Sequence, residues 1–162
     1  MNKKLRHLSM AALLAALVAV LTMIHIIELP NGGYIHSGDL FVYLAGCLLP
    51  APYAMAAAAI GGGLADLLTW PTYAIPTVII KACIALCFSA KKEKIICPRN
   101  ALALLPAAVI TGGGYFLADC VLYSRQTALL NLPFNLLQAA GSAAIFVLLA
   151  LAMDRAGLKK RT

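Results

Sequence analysis

Long apolar stretches recur along the whole chain, broken by short turns that carry polar residues, glycine or proline. A helix of about 20 apolar residues crosses the hydrocarbon core of a bilayer, and fewer suffice where it is partly buried in protein. Six such helices are predicted, at residues 8–27, 38–49, 51–68, 75–90, 100–123 and 132–155. The second is short for a full span, and Pro50 and Pro52 separate it from the third. Pro76 falls in the first turn of the fourth, where its missing N–H costs little.

Composition makes the bilayer the natural solvent. Of the 162 residues, 62% are hydrophobic and 12% charged, with a mean hydropathy of +0.89. A soluble domain is about 45–50% apolar and about 25% charged. The expectation is an all-α polytopic membrane protein, one six-helix domain over residues 1–162. Charge then sets its orientation. Lys3, Lys4 and Arg6 precede the first helix; Lys91, Lys92, Lys94 and Arg99 separate the fourth from the fifth; Arg155, Lys159, Lys160 and Arg161 end the chain. With six spans these clusters share one side, which the positive-inside rule makes cytoplasmic along with both termini. Only Arg125 is a loop cation on the other side. The net charge of +7 is thus an orientation signal on a multi-pass protein of the cell membrane, not a nucleic-acid surface. A signal peptide would also begin with a basic stretch, but the apolar run here is long for one and no A-x-A cleavage site follows it.

Catalytic signatures are lacking. Cys47, Cys83, Cys87, Cys97 and Cys120 form no C-x-x-C pair and have no histidine at metal spacing, so they read as inert thiols. No G-x-S-x-G, HExxH or Walker A pattern occurs, and no catalytic residue, metal or cofactor is expected. An intramembrane enzyme would have to use Ser37 beside His36, or Ser142, without a recognisable partner.

An ionisable group at mid-bilayer costs about 2.5–3.5 kcal/mol on insertion scales, so each one needs a reason. Asp39, Asp66, Asp119 and Lys81 all map to the outer half of the predicted spans, with Asn135 and Gln138 at the same level, while the inner halves are nearly bare. The first outer loop, Glu28-Leu-Pro-Asn-Gly-Gly-Tyr-Ile-His-Ser-Gly-Asp39, brings Asn31, Tyr34 and His36 to that level. The second, Thr69-Trp-Pro-Thr-Tyr-Ala-Ile-Pro76, brings Trp70 and Tyr73. Aromatic walls with a few convergent polar groups are what a small-ligand pocket needs. In this reading His36 and Asp39 orient a lid, Trp70 and Tyr73 stack on a flat ring, and Asp66, Lys81, Asn135 and Gln138 bond its heteroatoms. Asp66 is expected to hold the Lys81 ammonium, and Asp119 stands apart. The plainer alternatives are a structural Asp66–Lys81 pair and an interfacial aromatic belt of Trp70, Tyr73 and Tyr123. A self-contained carrier or channel is a further alternative, but it needs a polar path through the inner half.

Small residues permit close helix crossings in lipid. Gly61-Gly-Gly-Leu-Ala-Asp66 and Gly112-Gly-Gly-Tyr-Phe-Leu-Ala-Asp119 mark two candidates, and the first helix offers Ala11, Ala15 and Ala19 with Ala12 and Ala16 beside them.

The segments Asn31-Gly-Gly-Tyr-Ile-His-Ser-Gly-Asp39, Gly61-Gly-Gly-Leu-Ala-Asp-Leu-Leu68 and Tyr73-Ala-Ile-Pro-Thr-Val-Ile-Ile-Lys81 resemble the substrate-binding S component of an energy-coupling factor (ECF) vitamin transporter. The likeness is to the branch assigned to hydroxymethylpyrimidine, pyridoxine-like vitamers and related heteroaromatic precursors. A queuine-like base would suit the same contacts. The resemblance implies a non-enzymatic subunit that binds one micronutrient from outside under a first-loop lid. It also implies partnership with a transmembrane T component and two cytoplasmic ATPases, and toppling in the membrane to release the ligand. The family's A-x-x-x-A motif, which meets the T component, falls on Ala11/Ala15 or Ala12/Ala16. His36-Ser-Gly-Asp39 carries serine where the family pattern has Asn-Leu or similar, which leaves the ligand open.

Overall fold

The computed structural model describes residues 2–28 and 34–161. Among them are helices α1 (Lys3–Met23), α2 (Asp39–Leu48), α3 (Ala51–Thr69), α4 (Ala74–Leu86), α5 (Pro98–Leu102), α6 (Leu104–Leu122), α7 (Arg125–Arg155) and α8 (Leu158–Arg161). The fold is all-α, with a 3-10 turn at Pro71–Tyr73 and one two-residue hairpin, β1 (Ile27–Glu28) against β2 (Tyr34–Ile35).

Local chemistry explains where the helices differ from the predicted spans. The first stops at Met23 rather than 27, where the chain turns extended to pair Ile26 N–H with the Ile35 carbonyl at 2.8 Å. The fourth stops at Leu86 rather than 90. Beyond it Phe88 turns into the core, its ring centroid 5.1 Å from Tyr43 and 5.8 Å from Phe146. The fifth begins at Pro98 and is interrupted at Ala103. The sixth begins at Arg125 rather than 132, since Ser124 caps it by accepting from the Thr127 N–H at 3.1 Å. Pro133 is therefore carried inside α7.

Helix α3 packs between α1 and α4, and α6 packs on α7. Helix α2 touches α1, α3, α4 and α7, and residues Asp39, Leu40 and Val42 to Cys47 are all buried. A helix that is apolar all round belongs in the interior. Its 10 residues extend about 15 Å, half of a hydrocarbon core. That length carries the chain from Gly38, against Thr22 near the end of α1, to the neighbourhood of Tyr53, whose ring lies 5.4 Å from that of His7 near its start.

By length and composition four segments can cross a membrane: Lys3–Met23, Ala51–Thr69, Pro98–Leu122 and Arg125–Arg155. Asp39–Leu48 and Pro71–Leu86 are apolar but shorter. The first glycine triplet lies at tight crossings. A Cβ on Gly61 would lie 2.5 Å from the Ala15 carbonyl oxygen, and one on Gly62 would lie 2.9 Å from Cγ of Lys81. In the second triplet a Cβ on Gly112 would lie 2.8 Å from Leu136 Cδ2 and one on Gly114 2.8 Å from Ile80 Cγ1, while Gly113 faces open space.

The two ends of the bundle differ in kind. At one end the Asp154 carboxylate accepts from the N–H groups of Ile95 and Ile96 at 2.8 and 2.9 Å, pinning the basic 91–99 segment to the end of α7. The opposite end gathers the hairpin, the start of α2, the Trp70–Tyr73 turn and the α6–α7 junction, and it holds most of the buried polar side chains.

Candidate functional site

A cavity partly open to solvent lies at this second end. The hairpin contributes Tyr34 and, just after it, His36; the end of α3 contributes Asp66 and the following turn Trp70 and Tyr73. Helix α6 adds Tyr115 and Asp119, spaced i, i+4, and α7 adds Asn131, Asn135 and Gln138, spaced to share one face.

Each wall is fixed by its own bonds. The Tyr34 hydroxyl donates to Asp66 Oδ1 at 2.8 Å and lies 2.9 Å from Thr69 Oγ1, which ties the hairpin to the end of α3. Burial, and then the neighbouring Asp66 charge, raise the Tyr34 pKa, so its phenol keeps the proton it donates. The His25 ring stacks on Tyr34 from outside, with centroids 3.8 Å apart. On the facing wall Asp119 accepts from the Tyr73 hydroxyl and, at 2.9 Å, from Asn131 Nδ2. The Trp70 indole N–H donates to the Tyr123 hydroxyl at 3.3 Å, and Tyr115 meets Thr77 Oγ1 at 3.0 Å. Asp119 is thus a cavity residue that orients a ring and an amide. Tyr123 is tethered to the cavity wall as well as lying 43% exposed.

Behind the cavity floor the arrangement departs from the expected one. Lys81 forms its ion pair with Asp39, not Asp66, and both side chains are 0% exposed. The lysine stem passes α3 at Gly62, one turn short of Asp66, so its ammonium reaches the start of α2 instead. There the carboxylate also sits favourably at a helix N-terminus. Gln138 joins this pair to the cavity: its Nε2 donates to Asp39 Oδ2 at 3.1 Å, while its Oε1 accepts from the His36 N–H at 3.3 Å. Lys81 Nζ also lies 5.9 Å from the centroid of Tyr115, a ring that lines the cavity.

Seven of the residues expected from the sequence therefore meet at one cavity: Tyr34, His36, Asp66, Trp70, Tyr73, Asn135 and Gln138. Asp39 and Lys81 stand behind it, and Asn31, with Gly32 and Gly33, lies outside the described residues. Tyr115, Asp119 and Asn131 join the set. Their signal was present in the i, i+4 spacing of Tyr115 with Asp119 and of Asn131 with Asn135.

The chemistry offered is recognition. Aromatic side chains give flat surfaces, amides and phenols give directional bonds, and among the described residues the lining carries two carboxylates and no Lys or Arg. Ser37 has no bond to His36, whose Nδ1 accepts from the Gly38 N–H at 3.1 Å, and the buried Ser142 Oγ has no partner among the described residues. At the partner face expected on α1 the alanines divide: Ala11 is buried, Ala15 half-buried, and Ala12 and Ala16 exposed.

A search among curated proteins finds no match. The model of the family described as the ECF-type riboflavin transporter, S component, matches residues 2–155. Apolar helices around a recognition cavity agree with that match, and the chain belongs to the ECF S components, multi-pass membrane subunits that bind substrate and are not enzymes.

Proposed function

We propose that this S component captures a small, flat nitrogen heteroaromatic micronutrient from the outer face of the cell membrane. Delivery then runs through a T component and two cytoplasmic ATPases. Hydroxymethylpyrimidine, a pyridoxine-like vitamer and a queuine-like base fit this class, and riboflavin joins them through the description of the matching family. The carrying observation is the lining: Trp70, Tyr73 and Tyr115 beside three amides and two carboxylates, with no cation among the described lining residues. Carboxylates without a facing cation repel anions, so the free compound is accepted and its phosphate ester refused.

The proposed topology has six crossings with both termini inside. Helix α2 is short because protein rather than lipid surrounds it. The cavity end then faces outward and the basic 91–99 segment inward. The exposed Ala12 and Ala16 form the proposed face for the T component, while Ala11 serves internal packing.

Mass spectrometry of small molecules retained by the purified protein tests the ligand class, with calorimetry against riboflavin, hydroxymethylpyrimidine, pyridoxine and queuine, each beside an available phosphate ester. One free heteroaromatic bound at least about tenfold more tightly than its ester is the expected result, a difference of about 1.4 kcal/mol. Equal binding of an ester, or no binding of any of the four, would overturn the class. Uptake into vesicles by this chain alone, without ATPases, would make it a self-contained carrier instead.

A further inference from the structure

His36 has a defined hydrogen-bonding state. Its Nδ1 accepts from the Gly38 backbone N–H at 3.1 Å, and a ring nitrogen that accepts carries no hydrogen. In the neutral ring the proton is therefore on Nε2. Charged and titratable groups around the ring are Asp39 of α2, Lys81 of α4 and His25 beyond α1. Burial first, and then the Lys81 charge, lower the His36 pKa to about 3, so the ring stays neutral and offers a single donor. The side chain is 6% exposed and lines the cavity, yet no group among the described residues accepts from Nε2. A nearly buried donor aimed at a cavity with no protein acceptor is a place for a ligand atom.

Position makes the same point. The His36 N–H is held by Gln138, and the Asn135 side chain, almost one turn away on α7, has no hydrogen bond to any described residue. Gln138 spends both ends of its amide on His36 and Asp39, whereas Asn135 keeps both ends for the cavity. We propose that His36 Nε2–H and the Asn135 amide form a two-point reader of one ligand edge. His36 takes an unprotonated acceptor, a ring carbonyl or pyridine-type nitrogen, and Asn135 takes the donor or acceptor beside it. This rests on the reading of the cavity as the ligand site, and it adds which atoms specify the ligand.

The test separates the two nitrogens. His36→Asn keeps an acceptor near the Nδ1 position and removes the donor; His36→Gln keeps a donor near Nε2 and removes the acceptor. The probes are riboflavin, hydroxymethylpyrimidine, pyridoxine and queuine, measured first on the wild type, where failure of all four refutes the cavity reading itself. With a probe that binds, His36→Asn is expected to weaken affinity about ten- to hundredfold, the worth of one buried hydrogen bond left unmade. His36→Gln stays within about threefold of the wild type, roughly 0.6 kcal/mol. Wild-type affinity in His36→Asn would overturn the proposal. Nitrogen-15 NMR of the wild type serves where a variant does not fold. The proton is expected on Nε2, with its resonance moving when the probe saturates the site. A proton on Nδ1, or an Nε2 resonance that ignores a bound probe, would equally overturn it.

Discussion

Replacing Lys81 by Met leaves the Asp39 carboxylate with 0% exposure and without its ion-pair partner. Only the Gln138 amide at 3.1 Å would still bond it. Breaking a buried pair from one side costs about 3–5 kcal/mol, because the remaining charge has lost both water and its counter-charge. For a chain of this length each kcal/mol moves the melting temperature by about 2–4 °C, so Lys81→Met should melt roughly 6–20 °C lower. Asp39→Asn should be similarly damaging, since it leaves a fully buried ammonium without its ion-pair partner. The double variant removes both charges, and a buried pair replaced by neutral groups is often near neutral in stability. It should therefore recover most of the loss, with a coupling of about 3 kcal/mol or more. Thermal unfolding of the ligand-free protein in detergent reads all four forms. Sequence level alone puts Lys81 on the ligand with Asp66 beside it; the Lys81–Asp39 pair makes stability the first casualty and affinity the second. Single variants that melt like the wild type while binding weakly would restore the ligand role. A double variant as unstable as the sum of the singles would show that the two charges do not act as a pair.

Two further outcomes follow from burial and charge. Ala16→Trp adds bulk to an exposed position and is expected to abolish co-purification with the T component and ATPases while leaving ligand affinity unchanged, whereas Ala11→Trp, at a 7% exposed position, should prevent folding; assembly by Ala16→Trp would remove this face from the account. Because the folded pKa of His36 is lowered from 6.5 to about 3, its contribution to stability is present above pH 6.5 and is lost as pH falls toward 3, so His36→Asn should flatten by about 2 kcal/mol the decline in stability between pH 6.5 and about pH 5; identical slopes in both proteins would refute a buried neutral imidazole.

The helices were legible because an apolar run long enough to cross lipid has few other uses. Their ends were not, for reasons that are local or tertiary. Ser124-Arg-Gln-Thr127 is a capping sequence readable in principle, yet it lies outside the apolar run that set the predicted start of α7. The end of α4 is decided by Phe88 finding Tyr43 and Phe146, and no pattern within α4 announces contacts with residues about 45 and 60 positions away.

The site shows the same limit more sharply. Membrane depth, counted along each helix, brought Asp39, Asp66, Lys81, Asn135 and Gln138 to one level, and the structure keeps them near one end of the bundle. Depth does not say which neighbour a side chain faces. Asp66 and Asp39 are equally plausible partners for Lys81 by level, and the choice is made by a glycine: at Gly62 the lysine stem can lie against α3, so that its ammonium passes on to α2. A side chain at position 62 would have to displace that stem, and with it the Asp39 carboxylate, Gln138 and the bond from Gln138 to His36. The glycine stretch first read as a helix crossing thus also sets which acid is spent on the lysine. It leaves Asp66 to Tyr34 at the cavity wall, where a carboxylate not paired with a cation can refuse an anion and accept a donor.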